Sequence, residues 1–256
     1  MGTSRRSVRD RLDHLLVSQQ LAQSRDAAVR LILSGKVKVN GMVIDKPAKI
    51  VSEDVTIEIS GRPSRFVSRG GEKLAAALEA GVIDPQGLVC LDVGCSTGGF
   101  TDCLLQKGAA RVYAVDVGYG QFDWRLRQDP RVVLIERTNI RHLPRSAVPE
   151  PVALAVIDVS FISLTKVLPA VLPLLIRGAR VIALVKPQFE VGKGQVGRGG
   201  IVRDDSKRQG VLQRTISSAA DIGLKVVKSL DSPIKGKKGN QEILAIFEFP
   251  VSYPGM

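Results

Sequence analysis

The sequence is short of cysteine, histidine, aromatic side chains and long apolar runs, and each shortage excludes something. Its three cysteines, Cys90, Cys95 and Cys103, are odd in number and show no Cys-x-x-Cys or Cys/His ligand spacing. That speaks against a disulfide framework and a zinc site, predicts no metal, and suits the reducing cytoplasm. Phe, Trp and Tyr make up 4% of residues, too few for an extended base-stacking sheet, so a grip on nucleic acid has to be mostly electrostatic. The longest uncharged apolar runs, 167–176 and 181–185, fall far short of the about 20 residues of a spanning helix. Basic residues open the chain, but no apolar stretch follows them, so neither a secretory signal nor membrane insertion is expected.

Acidic residues are also in deficit: 25 Asp and Glu face 37 Lys and Arg, a net charge of +12 over 256 residues. An excess of this size points to a polyanion, nucleic acid or an anionic membrane. The length suits one or two domains, and the composition divides the chain. Residues 1–60 read as a small α+β domain, Gly61-Arg62-Pro63-Ser64-Arg65 falls in a linker over 61–67, and 68–256 is a second domain.

In the first part, Val8, Leu12, Leu15 and Leu16 predict a helix over 7–19. Ser24 reads as the N-cap of a second helix that Gly35 stops. Asn40-Gly41 between 36–39 and 42–44 predicts a hairpin, and 55–59 a further strand. Residues 1–49 carry ten Lys/Arg against four Asp. The pattern Arg11-Leu12-Asp13, Ser24-Arg25, Ala28, Leu31-Ile32, Gly35-Lys36-Val37, Val39-Asn40-Gly41 and Lys46-Pro47 resembles an S4 domain, a small RNA-binding module.

From residue 88 apolar strand-like runs alternate with helical stretches, predicting an α/β domain with a mostly parallel seven-stranded sheet: 88–93, 112–117, 132–135, 152–158, 180–185, 224–230 and 243–249. The first strand leads into Gly94-Cys95-Ser96-Thr97-Gly98-Gly99-Phe100 and a helix over 101–107. The dinucleotide fingerprint is absent, because Ser96 stands at its second glycine. Asp92-Val93-Gly94-x-Ser96-x-Gly98-Gly99 resembles instead the first motif of Rossmann-like class I S-adenosylmethionine-dependent methyltransferases. Glycines let backbone approach a ligand, and a helix N-terminus receives a carboxylate. The cofactor candidates are Asp92, Gly94, Ser96, Thr97, Gly98, Gly99 and Phe100, with Asp116 for the ribose hydroxyls and Asn139 near the adenine. Gly94-x-Ser96-x-Gly98 also fits a hydrolase elbow, which needs a histidine far downstream; His142 comes after very little of the sheet, and that reading is set aside.

Asp158 and Lys186 end neighbouring candidate strands, where they can pair across about 5 Å. If the last strand is antiparallel, Glu242 at its start lies on the same edge, and Lys73 stands in the first turn of a helix. Lys73, Asp158, Lys186 and Glu242 match the K-D-K-E tetrad of FtsJ-like ribose 2′-O-methyltransferases. With Ser68-Arg69-Gly70-Gly71, Asp158-Val159-Ser160-Phe161, Lys186-Pro187-Gln188-Phe189-Glu190 and Gly239-Asn240-x-Glu242, the chain closely resembles the TlyA, or hemolysin A, family.

The resemblance implies methylation of cytidine 2′-hydroxyls in ribosomal RNA, with S-adenosylmethionine as cofactor and ribosomal subunits as partners. Lys186 would meet the 2′-oxygen, stabilising an alkoxide or acting as base when neutral, and Asp158 would orient it. Lys73 and Glu242 would position the nucleotide. The candidate RNA contacts are Arg5, Arg6, Arg11, Arg25, Arg30, Lys36, Lys38, Arg65, Arg69, Lys193, Arg198 and Lys235. Two competing functions are a membrane-active cytolysin, which needs an inserting segment that is not found, and a non-catalytic S4-type ribosome-binding factor, for which the glycine turn and tetrad have no use. Residues 1–62 carry +4 of the charge and the remainder +8, so both domains are basic.

Overall fold

A computed structural model describes residues 9–22, 24–59, 65–192, 196–236 and 239–251. The chain forms two compact units, Met1–Pro63 and Ser64–Met256. The first contains β1 (Arg9–Arg11), α1 (Leu12–Ser18), α2 (Arg25–Leu33), β2 (Val37–Val39), β3 (Met42–Val43), β4 (Ile50–Ser52) and β5 (Ile57–Ile59). Leu12, Leu16, Ala28, Ile32 and Val37 form its fully buried centre. Ser24 caps α2, its hydroxyl accepting the Ala27 N–H at 3.2 Å. Asn40 and Gly41 both take positive φ and turn β2 into β3 as that dipeptide predicts. The helix expected from residue 7 begins only at Leu12: Arg9–Arg11 is extended and pairs antiparallel with Ile50–Ser52. Helical spacing of Val8 and Leu12 carries no information about a partner strand so far along the chain. Arg5 and Arg6 lie outside the described residues.

Asp13 is the fixed point of this unit. Its side chain is 1% exposed, yet it holds Arg11 through two bonds of 2.9 Å and the Arg25 Nε–H at 3.0 Å. The Arg11 guanidinium, helped by Arg25, keeps the carboxyl far below the usual carboxylate range despite burial. Asp13→Asn is expected to destabilise this unit by about 2 kcal/mol, because neutral amide replaces charge-assisted acceptors. A lowered folded pKa contributes stability above the ordinary value near 4, which is lost as pH falls through the lowered one. Amide exchange over residues 12–32 checks both points: the variant exchanges faster at neutral pH, and the difference narrows on acidification below about pH 4.

The second unit runs α3 (Gly70–Gly81), β6 (Val89–Val93), α4 (Gly99–Gln106), β7 (Arg111–Val115), α5 (Trp124–Arg127), β8 (Val132–Ile135), β9 (Val152–Ile157), α6 (Leu164–Val171), β10 (Leu175–Val185), α7 (Pro187–Glu190), α8 (Asp205–Asp221), β11 (Lys225–Asp231) and β12 (Ile243–Glu248). The seven strands lie in the order β11-β12-β10-β9-β6-β7-β8. From β10 to β8 all neighbours are parallel, and β12 alone runs antiparallel to both its neighbours, β10 and β11. The mostly parallel seven-stranded sheet is as the sequence predicts, and the antiparallel last strand meets the condition that puts Glu242 on the same edge as Asp158 and Lys186.

Alternation along the strands fills two cores. Leu91, Val93, Ala155, Ile157, Val181 and Ala183 face one side, and Cys90, Leu154, Val156, Ile182 and Leu184 face the other. A parallel sheet buried on both faces needs such apolar runs. The β10 strand starts five residues before its expected position, with an irregularity between Leu175 and Arg180 around the left-handed Gly178. Phe66, placed in the linker by composition, is buried in the second unit and packs so tightly on Gly71 that no Cβ would fit there. No described helix is long and apolar enough to cross a membrane. Burial pushes the thiols of all three cysteines up, Cys90 and Cys103 to about 12.

Candidate active site

Strand order reverses between β6 and β9, and the crevice beyond their carboxyl ends is where an open α/β sheet receives ligands. Gly94 leaves β6 with φ of +84°, and a Cβ there would meet the Asp158 carbonyl oxygen at 2.5 Å. Only glycine lets the two strand ends come together. Gly98 follows at φ +93° as the N-cap of α4, so that helix starts at Gly99 rather than the expected residue 101. Gly99 touches Ser68, and its Cβ would lie 3.1 Å from the Gly71 nitrogen, which brings the N-terminal turns of α3 and α4 together. Backbone rather than side chain therefore lines this corner.

Asp92, fully buried beneath the turn, accepts the Thr101 hydroxyl at 2.7 Å through Oδ2, while its Oδ1 has no partner. Burial pushes its carboxyl up to about 7, and the charges of Asp158 and Asp116 act in the same direction. Asp116 holds its loop by accepting the Ser96 N–H at 2.8 Å and the Gly118 N–H at 2.6 Å. Thr138 in turn donates its N–H to the Asp116 carbonyl at 2.9 Å. Asn139 is occupied locally: its Oδ1 caps the turn Ile140–His142 by accepting the Arg141 N–H at 3.1 Å.

Gly94, Ser96, Thr97, Gly99 and Phe100 share a cleft of about 660 Å³ with Lys73, Asp158, Lys186 and Glu242. Asp116 and Asn139 are not among the residues lining it. A backbone-lined corner at the start of α4, with an acid after the next strand, fits a small zwitterionic cofactor carrying a ribose. Among the described residues no group of His, Cys, Asp and Glu is placed to hold a metal ion.

The four polar candidates resolve into two ion pairs. Lys186 Nζ lies 2.5 Å from Asp158 Oδ1 and donates to Ser160 Oγ at 3.0 Å. Lys73 Nζ lies 2.5 Å from Glu242 Oε2, and this second pair is buried. Parallel neighbours β9 and β10 place the first pair; α3 and the antiparallel β12 place the second.

Sequence reasoning gave no role to the residues that stitch the segments after Asp158 and Lys186. Glu190 accepts the Ser163 hydroxyl at 2.6 Å and the Leu164 N–H at 2.8 Å, capping α6. The Phe161 and Phe189 rings meet at 4.8 Å. Phe161 is 90% exposed and holds φ of +63°, an unusual conformation for a bulky residue. Its place next to Asp158-Val159-Ser160 was the available signal.

The basic candidates scatter. Arg69 and Lys235 line the cleft. Arg65 lies 5.2 Å over the Phe66 ring. Arg11 and Arg25 are engaged by Asp13. Lys38 sits on β2 between the buried Val37 and Val39, across from Glu58. Lys36 is half-buried just before that strand, and Arg30 is exposed on α2. Lys193 and the side chain of Arg198 lie outside the description.

The FtsJ-like methyltransferase family model matches residues 66–249, and the S4 domain model residues 10–57. A Mycobacterium tuberculosis protein named 16S/23S rRNA (cytidine-2'-O)-methyltransferase TlyA is 49% identical, the match covering 91% of this chain and 88% of that one. Hemolysin A of Brachyspira hyodysenteriae is 43% identical, over 93% and 99% of the two chains. A solved Streptococcus thermophilus structure carrying the hemolysin name superposes with a TM-score of 0.75 at 42% identity, over 95% of this chain and 90% of that one. The chain belongs to the FtsJ-like methyltransferases, in the S4-bearing branch that includes TlyA and hemolysin A.

Proposed function

We propose that this protein transfers a methyl group from S-adenosylmethionine to the ribose 2′-hydroxyl of a cytidine in ribosomal RNA. The observation that carries the reading is the pairing of Lys186 with Asp158 and of Lys73 with Glu242 in one cleft with the glycine turn. The 49% identical Mycobacterium protein, named for cytidine 2′-O-methylation, supplies the substrate class.

When bound, S-adenosylmethionine supplies an activated methyl on a sulfonium. Gly94, Ser96, Thr97, Gly99 and Phe100 would receive it, with Asp116 directed to its ribose and Asp92 bracing the turn from below. What remains for the protein is to align a poor nucleophile and manage its proton. The ion pair with Asp158 and the hydrogen bond to Ser160 fix the direction of the Lys186 ammonium, which would present an N–H to the 2′-oxygen. Charged, Lys186 stabilises the oxygen's developing negative charge; neutral, it accepts the proton. Lys73 and Glu242 hold the nucleotide side of the cleft. The exposed Phe161 ring offers a face for an unstacked base, the form in which RNA is read by sequence.

RNA capture is assigned to residues 1–60 and chemistry to 68–256, joined across 61–67. The basic candidates in both parts supply phosphate contacts, and ribosomal subunits in the cytoplasm are the partners. Full-length protein incubated with tritiated S-adenosylmethionine and small subunits, large subunits or intact ribosomes is expected to yield labelled 2′-O-methylcytidine in rRNA. Absence of label from all three overturns the reading.

A further inference from the structure

Asn240 is 2% exposed and stands two residues before Glu242. Its side-chain amide brackets the opposite wall of the cleft: Oδ1 accepts the Val202 N–H and Nδ2 donates to the Gly200 carbonyl, both at 2.9 Å. A rotated amide would set donor against donor and acceptor against acceptor, so the two bonds fix its orientation. On the other side, the Asn240 carbonyl accepts the Gly236 N–H at 2.9 Å. Gly236 approaches Glu242 so closely that a Cβ would meet Oε1 at 2.6 Å. The chain of contacts thus runs from Gly200 and Val202 through Asn240 and Gly236 to Glu242 and Lys73.

Apart from the burial of Val202, the wall at 196–202 has few contacts of its own. Val196 and Gly200 line the cleft, and Gly199 and Gly200 both have positive φ. Its own bonds are Gly200 N–H to Gly197 O at 3.0 Å and Gly197 N–H to Ile201 O at 3.2 Å. Among the described residues, the hydrogen bonds tying it to the rest of the unit are the two made by Asn240. Glycine-rich backbone loses much entropy on ordering and needs such anchors.

We propose that Asn240 is a positioning residue that keeps the 196–202 wall in register with Glu242, so that the wall and the Lys73–Glu242 pair present one preorganised surface to the RNA nucleotide. The nucleotide part rests on the function proposed above; the coupling does not.

Full-length Asn240→Ala and Asn240→Asp proteins test it. Asn240→Ala is expected to bind S-adenosylmethionine within about twofold of the parent and to raise KM for ribosomal substrate about tenfold, the scale of two lost buried hydrogen bonds. A merely structural role would lower kcat through loss of active protein and leave KM alone. Asn240→Asp keeps the Val202 acceptor but turns a carboxylate on the Gly200 carbonyl, so its KM is expected to rise at least as much. By hydrogen exchange, 196–204 and 232–243 should loosen together in both variants. Unchanged protection, loosening of 196–204 alone, or a parental KM in both variants overturns the proposal. Absence of methyl transfer by the parent would overturn the proposed function, while the exchange comparison still decides the coupling.

Discussion

Lys186→Ala is expected to lower methyl transfer about a thousandfold or more while S-adenosylmethionine affinity stays within about twofold. Lys186 closes β10 at the mouth of the cleft, held by Asp158 at 2.5 Å and Ser160 at 3.0 Å. The glycine turn that would hold the cofactor is built from β6 and α4, and the Lys186 ammonium makes neither of its bonds to them. Removing the ammonium strips the only cation within ion-pair distance of Asp158 among the described residues and leaves that carboxylate unopposed where the alkoxide is proposed to develop. A lost proton-transfer group costs about 10²–10⁴ in rate, and a lost electrostatic partner about 10²–10³. Lys186→Arg is not expected to rescue, because a planar fork does not reproduce a point charge aimed at one oxygen. Single-turnover transfer and calorimetric cofactor binding read the two quantities separately. Turnover within tenfold of the parent would remove Lys186 from the mechanism.

Much of this site was legible because chemistry-bearing residues at strand ends announce themselves. Asp158 and Lys186 each terminate an apolar run, and parallel pairing of β9 with β10 then makes them neighbours. Glu242 joins them because β12 is antiparallel, a direction that the sequence left open. The glycine turn was legible for a similar reason: Gly94 is demanded by a backbone approach to Asp158.

What stayed hidden depends on pairings between distant segments or on capping. The extended Arg9–Arg11 exists because Ile50–Ser52 runs beside it. Arg11 and Arg25 look like free cations in the sequence, and the buried Asp13 engages both. Asn139 stood in a plausible adenine position, yet its Oδ1 is taken by the N–H groups of its own turn and Arg141. Ser160, Glu190 and Asn240 were visible only as letters within motifs, since a hydrogen bond from one loop to another leaves no periodic trace. Phe161 shows the same limit: nothing local predicts that a phenylalanine will be held at positive φ and left bare.

The Lys73–Glu242 pair separates what the fold needs from what the reaction needs. Both side chains are buried, and Gly236 packs directly against the carboxylate. Taking one partner away strands the other charge in a dry environment, at a cost of about 3–5 kcal/mol. Lys73→Met and Glu242→Leu, made singly, are therefore each expected to lower the stability of the full-length protein by that amount. The double variant replaces both charges with apolar groups of similar volume and removes the desolvation penalty along with the attraction, so it is expected to recover most of the lost stability. Methyl transfer follows a different pattern. All three variants lack the paired charges proposed to face the nucleotide, and the double variant is expected to remain at least about a hundredfold below the parent despite its recovered fold. Denaturant midpoints and single-turnover rates complete the cycle. Activity returning with stability would make the pair a structural brace; stability returning without activity assigns the two charges to the substrate.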